Sequence, residues 1–271
     1  MKCNLIPGRS DLSVTIFIPS DCNNNCKFCT SKESYHTRVS DLDSVIKSIN
    51  KFHKENPLAK YVRSVVITGG EPLSDLKVLS KILKVIPLEY AIYINTIVPT
   101  NKYNEKELAK FINKSRIDAL NISRHCVDLE KDKEFYTDTI SSDEFVKMIH
   151  KPIKINSFTS PDDNFLKKIK RWNKYDNVSL SFRADYRNID FSNLRTLDTD
   201  IVNKILSIKH VKYINHGGCD VCFNVGFVRK GFYFSYHRGM EKSSISFGNN
   251  KYLIVNDIII HQDGEISYDW N

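Results

Sequence analysis

The sequence lacks the features of a membrane-spanning or secreted protein. None of its 271 residues belongs to an apolar run near the roughly eighteen residues of a transmembrane helix. The N-terminal stretch MKCNLIPGRSDLSV contains no apolar run of signal-peptide length. We therefore expect a cytoplasmic protein with no membrane partner.

An even number of cysteines and blocks of like charge are also missing. The seven cysteines are an odd number, and in a reducing compartment they are not expected to form a disulfide framework. Metal binding and simple burial of thiols stay open. The net charge of +8 is spread over the whole chain, so it gives only a mild preference for an anionic substrate.

Apolar strands alternate with amphipathic helices over the first 200 or so residues, which predicts parallel βαβ units in an open sheet or a barrel. The predicted strands cover residues 13–19, 61–68, 90–98, 116–123, 152–159 and 178–186. The segment 211–271 instead has short strands, many aromatics and hairpin turns at GNN and QDGE. We expect a short C-terminal antiparallel β cap there. No linker separates it from residues 1–210, so both belong to one globular unit.

Three cysteines follow the first predicted strand in the stretch CNNNCKFC, at Cys22, Cys26 and Cys29. Three thiols are one too few for a closed tetrahedral zinc site. An iron–sulfur cube can take three corners from one loop and leave its fourth iron open. The neighbouring Phe28 can shield such a cluster from water, and Asn23 to Asn25 can donate hydrogen bonds near the sulfurs.

The second predicted strand runs into TGGEP, residues Thr68 to Pro72. The glycines Gly69 and Gly70 allow a ligand to approach the backbone closely. Glu71 then places a carboxylate at the carboxyl edge of a parallel sheet, where ligands bind in such folds. Its natural partner is an amino group. On its own, GGEP is a common turn sequence, but together with the cysteine stretch it indicates a ligand-binding site.

In these two motifs the sequence resembles the radical S-adenosylmethionine (SAM) enzymes. CNNNCKFC matches the family's cysteine motif at every position, including Phe28, and GGEP matches its second motif. The resemblance covers about residues 13–200 and implies a partial (β/α)6 TIM-like barrel. It also implies a [4Fe–4S] cluster on Cys22, Cys26 and Cys29, with SAM chelating the open iron.

The resemblance further implies how the cofactors act. Gly69, Gly70 and Glu71 would receive the SAM amino group, and Thr68 and Phe28 would also belong to the cofactor-binding residues. A one-electron reductase of flavodoxin or ferredoxin type would reduce the cluster. SAM would be cleaved to methionine and a 5′-deoxyadenosyl radical, which abstracts hydrogen from the substrate.

Weaker candidates end the fourth and sixth strands. Asn121, Ser123 and Arg124 stand where family members often contact the SAM ribose or carboxylate, and Asn121 and Ser123 share one strand face. Arg183 on the sixth strand is a candidate cofactor contact that could bind a carboxylate or phosphate, and a structural ion pair is the alternative.

A second Cys-x2-Cys pair, Cys219 and Cys222, lies in the C-terminal segment. Together with Cys126 or Cys3 it could hold a second cluster. With His216 and His237 it could hold zinc instead. A buried thiol pair without metal is the simpler interpretation, because half a ligand set is weak evidence.

The substrate is left open by the sequence. Because only about a dozen residues precede the first strand, we expect no separate leader-binding domain and favour a small, anionic nucleotide or metabolite. A peptide is the main alternative, and tRNA is possible but not favoured, since no RNA-binding module is visible. A protein of another class, a non-catalytic iron–sulfur or zinc scaffold, would have no use for the GGEP turn.

Overall fold

The computed structural model describes residues 12–20, 22–24, 26, 29, 37–184, 194–217, 224–237, 243–247, 251–255 and 258–268. For residues 194–196, 216–217, 243–247 and 251–255 it describes the backbone only. All structural statements below concern these residues.

An eleven-stranded sheet forms the centre of the molecule, in the order β13-β12-β1-β2-β3-β4-β5-β6-β9-β8-β7. Its strands are β1 Leu12–Ile18, β2 Val62–Gly69, β3 Ala91–Thr96, β4 Ala119–Ser123, β5 Ile153–Thr159, β6 Val178–Ala184, β7 Val211–Gly217, β8 Asn224–Arg229, β9 Phe232–His237, β12 Ile258–Ile260 and β13 Ile266–Ser267. Strands β1 to β6 are consecutive and parallel. The sheet is open, with β13 and β7 at its two edges.

Helices connect the parallel strands and cover one face of the sheet. They are α1 Leu42–Glu55, α2 Leu76–Val85, α3 Glu105–Lys114, α4 Leu129–Lys133, α5 Phe165–Trp172 and α6 Leu194–Leu206. Alternate strand residues such as Ile67 and Leu120 pack into the core with helix residues such as Phe52. The intervening residues lie on the opposite face, which we call the inner face. The predicted six βα units, the mixed α/β class and the barrel-like, mostly parallel sheet are confirmed, and the barrel is not closed.

The C-terminal strands pair antiparallel with one another, as predicted for a cap, but they join the main sheet at both edges. Strands β7, β8 and β9 form an antiparallel meander, and β9 lies parallel to β6. The β12–β13 hairpin adds to β1 at the other edge. A separate hairpin pairs β10 Ser243–Phe247 with β11 Lys251–Val255. A boundary at residue 210 stays a prediction.

The β12–β13 turn also ties this edge to the first helix. Gly264 has φ +84°, and a Cβ there would lie 2.7 Å from the Ser44 backbone. Ser48 Oγ donates to the Gly264 carbonyl at 2.5 Å. Glycine is therefore needed for both the turn conformation and the close approach to α1. Among the described helices, none combines the length and apolar character needed to traverse a bilayer.

Candidate functional site

The cysteine loop and the Gly-Gly-Glu-Pro turn lie side by side at the carboxyl edge of the sheet. Ile18, the last residue of β1, is paired with Gly69, the last residue of β2. Just beyond this pair, Ser20 Oγ lies 3.4 Å from the Glu71 carbonyl oxygen, to which it donates. Because β1 and β2 are adjacent parallel strands, the two loops that follow them are brought together by the fold itself.

The three thiols of the cysteine loop are free and act on one another electrostatically. Burial, together with the neighbouring Cys29 and Cys22, raises the pKa of Cys26 to about 12. Burial is also the main cause that raises the pKa of Cys22, with smaller contributions from Glu71 and Cys29. Thiolates at this site therefore need a positive centre to become stable.

Cys26 is the least exposed of these three residues. It packs against a small apolar cluster of Ile97, Tyr136 and Ile140, whereas Cys22 and Cys29 are exposed. The Cys29 amide donates to the Cys26 carbonyl at 3.1 Å, which makes a tight turn between these two thiols. Across the described ranges, no three His, Cys, Asp or Glu side chains converge closely enough to hold a single metal ion.

An asparagine–aspartate clamp fixes the cysteine loop to the segment after β4. The Asn24 side-chain oxygen accepts from the amides of Thr137 and Asp138, at 2.9 and 3.0 Å. Its amide nitrogen donates to Asp138 Oδ2 at 2.7 Å and lies 3.8 Å from Cys22 Sγ. Asn23 donates to the other oxygen of Asp138 at 3.2 Å. A donor beside a ligating sulfur suits a cluster site, and Asp138 holds that donor in place.

Asp138→Ala is expected to leave the fold intact and to weaken cluster retention about tenfold, because the loop loses the partner of both asparagines. The measurement is the rate of iron release to a chelator from the reconstituted protein. Asp128→Ala is the matched control, since Asp128 caps α4 in the same segment and its side chain accepts from the Lys131 amide. Equal iron release from both variants would contradict a positioning role for Asp138.

The Gly-Gly-Glu-Pro turn is built around a buried carboxylate. Gly69 has φ 99°, a conformation that favours glycine. Glu71 is 4% exposed, and its carboxylate accepts from the amides of Leu73 and Ile97 at 3.0 Å each and from Thr96 Oγ1 at 2.5 Å. A carboxylate has about four acceptor positions, so one is left for a ligand. The predicted contact between Glu71 and the SAM amino group stays a prediction.

Burial raises the pKa of Glu71 to about 7, and this outweighs the three hydrogen bonds that lower it. From its usual value near 4.5 up to about 7, the folded protein keeps this proton while the unfolded chain loses it. The free energy of unfolding attributable to Glu71 therefore falls as pH rises through this window.

Comparison with Glu71→Gln isolates this effect, because glutamine does not titrate. Relative to the variant, the cluster-free wild type is expected to lose about 3 kcal/mol of unfolding free energy as the pH rises from 4.5 to about 7. Urea unfolding at a series of pH values measures it. A difference that does not change with pH would show that the Glu71 pKa is ordinary.

The three candidates at the end of β4 separate onto two faces. Asn121 and Ser123 lie on the inner face, and Asn121 donates to Asn95 Oδ1 at 2.8 Å. Arg124 is 2% exposed and donates to the carbonyls of Ile97 and Ser123 at 2.8 Å each and also to Ser141. These contacts favour a structural role for Arg124, and its predicted contact with SAM stays a prediction.

Arg183 lies on the inner face of β6, four strands along the sheet from β2. It is paired with His237 of β9.

Phe28, Cys3, Cys219 and Cys222 lie outside the described residues, as does the His216 side chain. The second metal site and the shielding role of Phe28 therefore stay predictions. Cys126 is half-buried, and burial raises the pKa of its thiol to about 11.

Sequence reasoning missed three groups that shape the site. Thr96 and Asp138 are ordinary strand-end and loop residues in the sequence, and nothing in their neighbourhood indicates a role. The buried Asp132 was missed as well. It accepts from the amides of His125 and Cys126 at 2.6 and 2.9 Å and from Arg171, which holds the segment after β4 in position.

The family model of the radical SAM superfamily matches residues 16–158, more than half of the chain. A protein of Thermoplasma volcanium described as a probable GTP 3′,8-cyclase is 28% identical over 168 residues, which are 58% of this chain and 48% of that protein.

Two solved structures of Streptococcus suis SuiB share the fold. With precursor peptide SuiA bound, SuiB has a TM-score of 0.52 at 17% identity, over 73% of this chain and 47% of SuiB. SuiB alone has a TM-score of 0.50 at 17% identity, over 74% and 48%. The chain thus spans about half the length of these relatives. It belongs to the radical SAM superfamily of enzymes, a membership that implies a [4Fe–4S] cluster and SAM as cofactors.

Proposed function

We propose that this protein binds a [4Fe–4S] cluster through Cys22, Cys26 and Cys29 and binds SAM against Thr68, Gly69, Gly70 and Glu71. When bound, the cluster supplies one electron to SAM, which yields the 5′-deoxyadenosyl radical that abstracts hydrogen from the substrate. The electron comes from a reductase of flavodoxin or ferredoxin type. The substrate is a small anionic nucleotide or metabolite.

One observation carries the proposal: the cysteine loop and the buried Glu71 are held together at one sheet edge. Glu71 raises the pKa of both Cys22 and Cys26, so its carboxylate lies within electrostatic reach of two thiols. The Ser20 hydroxyl links the two loops directly. A ligand that contacts Glu71 is thereby placed beside any metal centre held by the cysteines.

The protein's own residues have separate tasks in this arrangement. The cysteines supply thiolate ligands, and Asn24 places a hydrogen-bond donor beside the Cys22 sulfur. Gly69 and Gly70 let a ligand lie close to the backbone, where carbonyl oxygens can accept from an amino group. The inner face of the sheet then borders the space in which a substrate meets SAM.

The preference for a small anionic substrate rests on the net charge of +8 and on the cations of the inner face. The relative described as a probable GTP 3′,8-cyclase supports a nucleotide. A peptide substrate is supported only through the fold shared with peptide-bound SuiB. We therefore place the nucleotide or metabolite first.

The test is anaerobic reconstitution with iron and sulfide, followed by dithionite and SAM. The expected products are 5′-deoxyadenosine and methionine in equal amounts, detected by liquid chromatography. A protein that carries a full cluster and forms neither product would instead be a non-catalytic iron–sulfur scaffold. A preparation that retains zinc in place of iron would overturn the cluster assignment.

A further inference from the structure

Two cations and a histidine lie together on the inner face, away from the cysteine loop. Arg183 of β6 is paired with His237 of β9, so their side chains stand side by side on one face. Lys154 lies on β5, the other neighbour of β6, and on the same face. Lys154 and Arg183 are both exposed to the space above the sheet.

Three buried polar atoms of the same face have no hydrogen-bond partner in the described structure: Asn156 Oδ1, Ser181 Oγ and Asn224 Oδ1. Asn156 is paired with Ser181, and Asn224 is paired with His237, so these atoms and the cations form one continuous patch. Ser181 is completely buried. Buried polar groups without partners cost stability, and a cluster of them indicates a polar ligand that would satisfy them.

The electrostatics of the patch favour an anion. Strands β4, β5, β6, β8 and β9 contain no aspartate or glutamate. Burial, together with the positive charges of Arg183 and Lys154, lowers the pKa of His237 to about 4. Both cations therefore lie within electrostatic reach of the imidazole, which is neutral near pH 7 and can donate or accept a hydrogen bond.

The patch is separate from the proposed SAM contacts. The cysteine loop and Glu71 follow β1 and β2, whereas the patch lies on β5, β6, β9 and β8. Strands β3 and β4 stand between the two groups, and neighbouring strands are about 4.8 Å apart. A second ligand that bound at the patch would face SAM across the inner surface of the sheet.

We propose that this patch binds the acidic group of the substrate, a phosphate or carboxylate, and that its neutral polar atoms bind hydroxyl or amino groups next to that acid. Its members are Lys154, Asn156, Ser181, Arg183, Asn224 and His237. The proposal rests on the proposed function and names the substrate class of that same site. Arg183, predicted from the sequence as a cofactor contact, is here assigned to the substrate.

The test is calorimetric titration of the cluster-loaded protein with three probes, GTP, inorganic triphosphate and citrate, and separately with SAM. Wild type is expected to bind at least one probe. Arg183→Gln and Lys154→Gln are each expected to weaken that binding about tenfold, the loss typical of one charge-assisted hydrogen bond. Lys110→Gln, an exposed cation on α3, is the matched control and should bind as wild type does.

Ser181→Ala separates ligand binding from a structural role. Because Ser181 Oγ has no partner, its removal should leave the melting temperature unchanged or higher while it weakens probe binding. A lower melting temperature with unchanged probe binding would overturn the ligand role of this residue.

The outcomes distinguish an acidic group of the substrate from the carboxylate of SAM as the ligand of the patch. Unchanged SAM affinity in Arg183→Gln, with weakened probe binding, supports the substrate assignment. A loss of SAM affinity alone would assign the patch to the SAM carboxylate and overturn the proposal, as would a wild type that binds none of the probes. Failure to form 5′-deoxyadenosine would overturn the proposed function and leave the result for the anion probes unaffected.

Discussion

Replacement of Cys26 by alanine is expected to leave a folded protein without its cluster and without SAM cleavage. Cys26 is the middle one of the three proposed ligands, and its side chain packs against Ile97, Tyr136 and Ile140. Alanine suits these apolar surroundings, so the loop should keep its place while the cube loses one of only three protein ligands. Iron and sulfide content, the electron paramagnetic resonance spectrum and the yield of 5′-deoxyadenosine measure the effect.

Cys126→Ala is the matched control for this variant. Cys126 is also a half-buried thiol whose pKa is raised by burial, but it follows β4 and lies outside the cysteine loop. Its expected iron content and product yield are those of wild type. Retention of a full cluster by Cys26→Ala would refute the ligand assignment. Loss of iron from Cys126→Ala would instead revive a second metal site.

The sequence predicts the parallel part of the fold well for a physical reason. Buried parallel strands read as short apolar runs, and each is followed by an amphipathic helix. Once β1 and β2 are known to be parallel neighbours, the loops after Ile18 and Gly69 must meet at one edge. The position of the cysteine loop beside Glu71 was therefore predictable from local patterns alone.

The clamp and the inner-face patch were not predictable, because their members meet only after folding. Asn24 and Asp138 are 114 positions apart in the chain. Asp138 stands in no recognisable motif, and its role is visible only in its contacts. Likewise, His237 reaches Arg183 because β9 pairs with β6, a register that the short C-terminal strands do not reveal.

Arg124 is a residue that the sequence offers as a ligand candidate but that the structure encloses. A charged residue at the end of a strand that points to the carboxyl edge is a reasonable ligand candidate. Arg124 nevertheless falls on the buried side of the alternation, as Ile122 does, and its guanidinium is enclosed among backbone carbonyls. The alternation of side chains along β4 puts Asn121 and Ser123 on the inner face, and it puts Arg124 on the opposite, buried face.

Replacement of Glu71 by alanine is expected to leave the cluster in place and to weaken SAM binding by about tenfold or more. The variant removes a buried acceptor that stands beside the thiols, and a lost hydrogen bond to a charged group costs about 1.5–3 kcal/mol. It also leaves the amides of Leu73 and Ile97 without their acceptor, so the unfolding free energy should fall as well. Calorimetric titration of the reconstituted protein with SAM, together with iron analysis, separates these effects.

Thr96→Val distinguishes direct contact with SAM from an effect of turn geometry. The Thr96 hydroxyl donates to Glu71 and accepts from the Val98 amide, so its loss perturbs the same buried network and keeps the carboxylate. We expect Thr96→Val to lower the unfolding free energy and to leave SAM affinity within about twofold of wild type, since the ligand's acceptor is retained. An equal loss of SAM affinity in both variants would mean that Glu71 acts only by holding the turn, and that SAM is bound by the backbone around Gly69 and Gly70.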